Sequence, residues 1–186
     1  MPPHAKPSSV SNRDNWRTPP SERGFVDSVF GALPDLDPCA EDRASSHGCY
    51  FYSPGDDGLA QPWFGDTVFM NPPYSQLAAW VAKAALESTR SACAILCLVP
   101  PRTGAAWWQT IGQATEVWFC AKRIRFTNPD TGLPGLNPAE YSAYVLFDRG
   151  GRCVERFETH VRARDGEGAA LWKPVRCRRP QPHGAI

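Results

Sequence analysis

The sequence predicts an α/β fold, a sheet with helices on its faces. A buried-strand signal, Thr67-Val68-Phe69-Met70, runs straight into Asn71-Pro72-Pro73-Tyr74. Leu77, Trp80, Val81, Ala84 and Ala85 then follow at amphipathic helical spacing. A continuous apolar run over 94–99 has the character of a central strand buried on both faces. Strands alternating with helical patterns point to helices layered on a sheet.

In chain order, residues 1–13 are rich in Pro and Ser and are expected to be disordered. Trp16-Arg17-Thr18-Pro19-Pro20 opens the ordered part. Phe25, Val26, Val29, Phe30 and Leu33 predict a helix, with Ser21 placed to cap it and Pro34 to end it. Leu36-Asp37-Pro38-Cys39-Ala40 reads as a short strand entering an acidic loop, and Cys49-Tyr50-Phe51-Tyr52 as a second strand. Ser53 to Gly58 is a turn cluster. After the 94–99 strand, Pro100-Pro101 stops the run, residues 105–113 suggest a helix, and 116–119 and 144–147 two further strands. The expected organisation is a disordered segment over 1–13, one domain over 14–160 and a basic, flexible tail over 161–186.

Composition narrows the class. The chain has 186 residues, enough for one domain with a sizeable core. The seven cysteines are odd in number and contain no Cys-x-x-Cys pair, which argues against a zinc ribbon and for reduced thiols in a cytoplasmic protein. No apolar run approaches the roughly 20 residues of a membrane span, and the four histidines form no metal-ligand or triad pattern. No metal and no obligate protein partner is expected. The net charge of +1 is uninformative, but residues 161–186 hold six Lys/Arg and two acids. That tail suits a polyanionic partner or a solvated end.

The chemistry lies in Asn71-Pro72-Pro73-Tyr74. In open α/β sheets ligands bind at the carboxyl ends of strands, where this motif falls. The prolines fix φ and remove backbone donors, freeing carbonyls to face a ligand. The Asn71 side-chain oxygen and the Pro72 carbonyl offer two acceptors for an exocyclic amino group. Tyr74 offers a face on which a base can stack. Positioned acceptors stabilise the transition state in which a delocalised amine lone pair attacks an electrophile. A base in duplex DNA must be flipped out to reach them. Without its strand–motif–helix context, the tetrapeptide reads equally as a strand-ending turn.

On an ordered set of segments the chain resembles the phage-type DNA N6-adenine methyltransferases, often called Dam-like. The segments are Asp14-Asn15-Trp16-Arg17-Thr18-Pro19, Leu36-Asp37-Pro38-Cys39-Ala40, Asp57-Gly58-Leu59 with Trp63, Val68 through Ser75, Trp80-Val81-x-Lys83-Ala84, and Leu98 through Thr103 with Trp107-Trp108. The resemblance spans about 14–147. It implies a Rossmann-like methyltransferase fold, a mostly parallel sheet with helices on both faces. It also implies S-adenosylmethionine as donor and adenine N6 in a specific DNA site as acceptor. Trp16, Thr18 and Pro19 are then candidates for the methionine end of the cofactor, the Asp37 carboxylate for its amino group or ribose hydroxyls, and Pro38 beside it for the same cofactor site. Asp57 would accept from its adenine, and Asn71 would face both substrates. The usual glycine-rich loop is absent, and Leu36-Asp37-Pro38-Cys39 stands in its place.

Other readings stand beside these. Asp37 and Asp57 also suit turn capping. Arg102 suits a DNA phosphate or a surface ion pair. Lys122, Arg123 and Arg125 precede a long loop and suit DNA contact or a solvated hairpin. Of Trp107 and Trp108, one is expected in the core and one at a cleft. The rival functions are methyl transfer to protein glutamine or RNA, and a catalytically silent DNA-binding protein of the same fold.

Overall fold

The computed structural model describes residues 14, 16–135 and 140–173. Helix α1 is Pro20–Phe30, α2 Leu77–Arg90 and α3 Val154–Asp165. The strands are β1 Leu36–Asp37, β2 Tyr50–Phe51, β3 Thr67–Met70, β4 Ala94–Val99, β5 Glu116–Phe119, β6 Ala143–Phe147 and β7 Leu171–Trp172. They form one seven-stranded sheet in the order β2-β1-β3-β4-β6-β5-β7. β1 to β4 pair in parallel, and β5 runs in the same direction. β6 inserts antiparallel between β4 and β5, and β7 pairs antiparallel on the outer edge of β5. This is a Rossmann-like arrangement in which most strands share one direction.

Both faces are covered. In β4, Ile95, Cys97 and Val99 pack with α2 and the 3-10 helix Ala106–Gln113. Ala94, Leu96 and Leu98 pack with α1 and α3. The alternation is the two-residue period of a strand, and burial on both faces explains why its sequence is apolar without interruption. The helical spacing of Leu77, Trp80, Val81, Ala84 and Ala85 is likewise realised as the buried face of α2.

Two expectations about α1 need correction. Ser21 lies inside the helix, Pro19 occupies the cap position, and Pro20 opens the first turn, where proline forfeits no intrahelical bond. The helix ends at Gly31, not Pro34. Gly31 has φ 81°, and its N–H closes on the Asp27 carbonyl. Leu33 is consequently exposed. The boundary drawn at residue 160 falls within α3, and residues 161–173 belong to the fold. The buried Glu22 carboxylate of α1 accepts both Arg164 Nη1 at 2.7 Å and Nη2 at 2.6 Å, and the Tyr144 hydroxyl at 2.9 Å. Trp118 Nε1 donates to Asp165 Oδ2 at 2.8 Å. These bonds fasten α1 and α3 to the sheet. Residues 1–13 and 174–186, about which a disordered segment and the rest of a basic tail were expected, lie outside the described residues.

Candidate active site

Because β1, β3 and β4 are parallel, their carboxyl ends meet at one edge of the sheet. Asp37 ends β1, Asn71 follows β3, and Pro100 follows β4. A cavity of about 430 Å³ opens there. Trp16, Thr18, Asp37, Pro38, Asp57, Asn71 and Pro73 all line it, so seven residues chosen from sequence for the motif or the cofactor converge. Pro19, Pro72 and Tyr74 are not in its wall. Pro19 caps α1 and Pro72 is buried. Tyr74 opens a 3-10 turn, Tyr74–Gln76, that leads into α2.

The Asn71 amide has a defined orientation. Its Nδ2 donates to Thr18 Oγ1 at 3.1 Å. Its Oδ1 accepts from no described residue, and neither does the Pro72 carbonyl. Asp14 holds the motif from its other end, its Oδ1 accepting from Tyr74 N at 2.8 Å and Ser75 N at 3.3 Å. The segment carrying Asp14 and Thr18 is itself strapped down. Arg17 and Thr127 exchange backbone hydrogen bonds, each of 2.9 Å. Gly135 lies so close to Trp16 that a Cβ there would stand 2.8 Å from the indole.

The cofactor-side loops are built around Asp37 and Gly58. Asp37 is buried, accepting from His47 N at 2.9 Å and Cys39 N at 3.2 Å. Burial pushes its carboxyl up to about 6 despite those two bonds, which favour the charged form. The Cys39 thiol beside it is raised well above its ordinary value by burial and by the Asp37 charge, both of which favour the neutral form. Gly58 approaches the Pro38 carbonyl so closely that a Cβ would lie 2.0 Å from that oxygen. Asp57 adopts φ 53°, and its exposed carboxylate has no partner among the described residues.

Tyr74 is half-buried, and burial raises its phenol to about 12, keeping it neutral. The Arg102 guanidinium lies 5.7 Å from the centre of its ring. Arg102 also grips Glu140 through two bonds, Nε–Oε2 at 2.9 Å and Nη2–Oε1 at 2.7 Å. Of its two expected roles, the structure contains the ion pair. Lys122, Arg123 and Arg125 are exposed and outside the cavity, Arg123 stacking 4.9 Å from the Tyr141 ring. Trp108 is core, whereas Trp107 is half-buried against the same cluster and lines no part of the cavity. Among the described residues no cluster of three or more His, Cys, Asp or Glu could hold a metal, and no helix is long and apolar enough to cross a membrane. The six described cysteines are free.

Asp14 and Trp80 are among the contributors that sequence reasoning missed. Asp14 stood at the edge of a quoted segment, with nothing to mark it as a cap for a turn 60 residues away. Trp80, read as a core position, also forms cavity wall.

A family model described as "DNA N-6-adenine-methyltransferase (Dam)" matches residues 6–161. The curated DNA N-6-adenine-methyltransferase of Haemophilus phage HP1 (strain HP1c1) is 29% identical over 140 residues, which cover 74% of this chain and 80% of that protein.

Proposed function

Because the chain belongs to the DNA N-6-adenine-methyltransferase family, we propose that it moves a methyl group from S-adenosylmethionine to adenine within a defined DNA sequence, at Asn71-Pro72-Pro73-Tyr74. The observation that carries this reading is the Asn71 amide, whose nitrogen is held by Thr18 and whose oxygen is left free where β3 ends.

The cavity suits the donor. S-adenosylmethionine is cationic at its sulfonium and ammonium, and Asp14, Asp37, Glu41 and Asp57 all reach the wall. Arg17, the basic side chain of that wall, is paired with Asp42 at 3.3 Å. Trp16 and Pro38 shape the cofactor side, Pro19 acts behind the wall as the cap of α1, Asp37 takes the ammonium or the ribose hydroxyls, and Asp57 accepts from the cofactor's adenine amino group. When bound, the donor supplies an electrophilic methyl group.

The chain's own residues then act on the acceptor. Tyr74 stacks against the flipped adenine. Asn71 Oδ1 and the Pro72 carbonyl accept the two N6 protons and turn the nitrogen lone pair toward the methyl group. These bonds strengthen as positive charge develops on nitrogen, so they stabilise the transition state more than the ground state. Neither acceptor is basic enough to keep the proton that nitrogen loses, which passes to water. Lys122, Arg123 and Arg125 contact DNA phosphates, and Arg102 does so by exchanging Glu140 for a phosphate.

The test is incubation with methyl-labelled S-adenosylmethionine and unmethylated DNA, followed by digestion to nucleosides. Label should appear in N6-methyladenine at one sequence. Label in protein or RNA alone, or DNA binding with no label, would move the chain to one of the rival functions.

A further inference from the structure

We propose that Thr18 is a positioning residue that sets which end of the Asn71 amide faces the adenine. The inference rests on the role assigned to Asn71 above. The two ends of an asparagine amide have nearly the same shape and opposite hydrogen-bonding character, the oxygen accepting and the nitrogen donating. With Oδ1 outward, Asn71 accepts from the N6 amino group. Turned over, it would present N–H against N–H, and the acceptor would be lost. The orientation is therefore part of the chemistry, and something must hold it.

Thr18 is the one described side chain bonded to that amide, at 3.1 Å from Nδ2, and it is only 6% exposed. A hydroxyl can donate or accept, so it would tolerate either orientation by itself. Its proton decides between them. Thr18 Oγ donates to no acceptor among the described residues, and Thr18 lines the cavity. An acceptor in the cavity that takes the hydroxyl proton leaves the oxygen able only to accept. It then receives Asn71 Nδ2–H and locks Oδ1 toward the base. A carboxylate, such as that of an amino-acid moiety, is the ligand chemistry this requires. Thr18 thus links filling of the cavity to readiness of Asn71, across a contact between residues 53 positions apart in sequence. Two features keep the residue in place. Pro19 directly after it caps α1, and Arg17 directly before it is paired to Thr127.

The experiment compares Thr18→Val, which keeps the shape and removes the hydroxyl, with Thr18→Ser, which restores it. Three quantities are read: kcat, the dissociation constant for S-adenosylhomocysteine by calorimetry, and the side-chain amide resonances of Asn71. Those resonances are assigned by their loss in Asn71→Asp and followed with and without S-adenosylhomocysteine. Thr18→Val should lower kcat roughly tenfold, as expected for one lost hydrogen bond, with a smaller change in the dissociation constant. It should shift the Asn71 amide signal and abolish that signal's response to S-adenosylhomocysteine. Thr18→Ser should stay within about twofold of wild type. If Thr18→Val does not fold, Thr18→Ala makes the same deletion with less apolar bulk, and Thr18→Ser still reports on the hydroxyl. Wild-type kcat in the Val or Ala variant overturns the proposal. So does an unmoved Asn71 amide, or a loss that lies wholly in the dissociation constant, which would make Thr18 a cofactor ligand alone. If wild-type protein methylates no adenine, the function proposed above fails, while the amide resonances still report whether Thr18 holds Asn71.

Discussion

Asp37 carries the sharpest competition of forces at a single residue. Two backbone N–H groups favour its carboxylate, yet burial outweighs them and raises the carboxyl from 3.8 to about 6. A raised acid is a group the fold prefers protonated. Its contribution to stability is therefore present at acid pH and lost as pH rises from the ordinary value through about 6, a change on the order of 3 kcal/mol. We expect Asp37→Asn to flatten that part of a stability–pH profile measured by denaturant unfolding, and an unchanged slope would contradict it. The charged form is the one that can pair with an ammonium or accept from ribose hydroxyls. Affinity for S-adenosylmethionine should thus rise with pH through about 6 in wild type and be nearly flat in Asp37→Asn. Titration calorimetry across that range checks it. The family resemblance marked Asp37, at the end of the first strand. It could not show that the same carboxylate staples His47, ten positions on, since that bond exists only once the loop has closed.

At the scale of elements, the loops of the cavity depend on close backbone approach. Gly58→Ala would drive a Cβ into the Pro38 carbonyl at 2.0 Å, so the two loops must separate. A cost of roughly 1–3 kcal/mol is expected, with weaker binding of S-adenosylmethionine. Wild-type stability and affinity in that variant would refute the contact. The α1–α3 fastening is as specific. Arg164→Ala would leave the buried Glu22 carboxylate without its cation, held only by the Tyr144 hydroxyl and a long bond from the Ser21 hydroxyl, and losing one partner of such a pair costs about 3–5 kcal/mol. Arg164 is one-third exposed, so the lower end applies. Chemical denaturation measures it. What was legible here follows from periodicity. α2 and β4 declared themselves because their apolar positions repeat at the helix and strand periods. The start and end of α1 did not, because Gly31 stops the helix by adopting positive φ, a choice its neighbours do not dictate. The tail through 173 was misjudged because charged residues such as Arg164 read as solvated until their buried partner is known.

For the whole molecule, the α/β class was legible from the alternation of strand and helix patterns, and the parallel direction of β1 and β3 brings Asp37 and Asn71 to one sheet edge, whereas Trp16, Thr18 and Asp57 were named through the family resemblance. The insertion of β6 between β4 and β5 was not, because strand order depends on contacts distant in sequence. DNA must approach the edge that carries the site. Lys122 and Arg125 are exposed and form no ion pair with another described residue. Alanine at either should weaken binding evenly across DNA sequences and reduce the slope of log affinity against log salt by about 1. An unchanged slope would remove that residue from the phosphate contacts. The central claim is that Asn71 supplies the acceptor that activates adenine N6. It is tested most directly by Asn71→Ala, measuring labelled N6-methyladenine formed per enzyme alongside affinity for S-adenosylmethionine. We expect turnover to fall about 10²–10³-fold, the loss typical of one removed transition-state hydrogen bond, with cofactor affinity within roughly threefold. Undiminished turnover in Asn71→Ala would contradict the account.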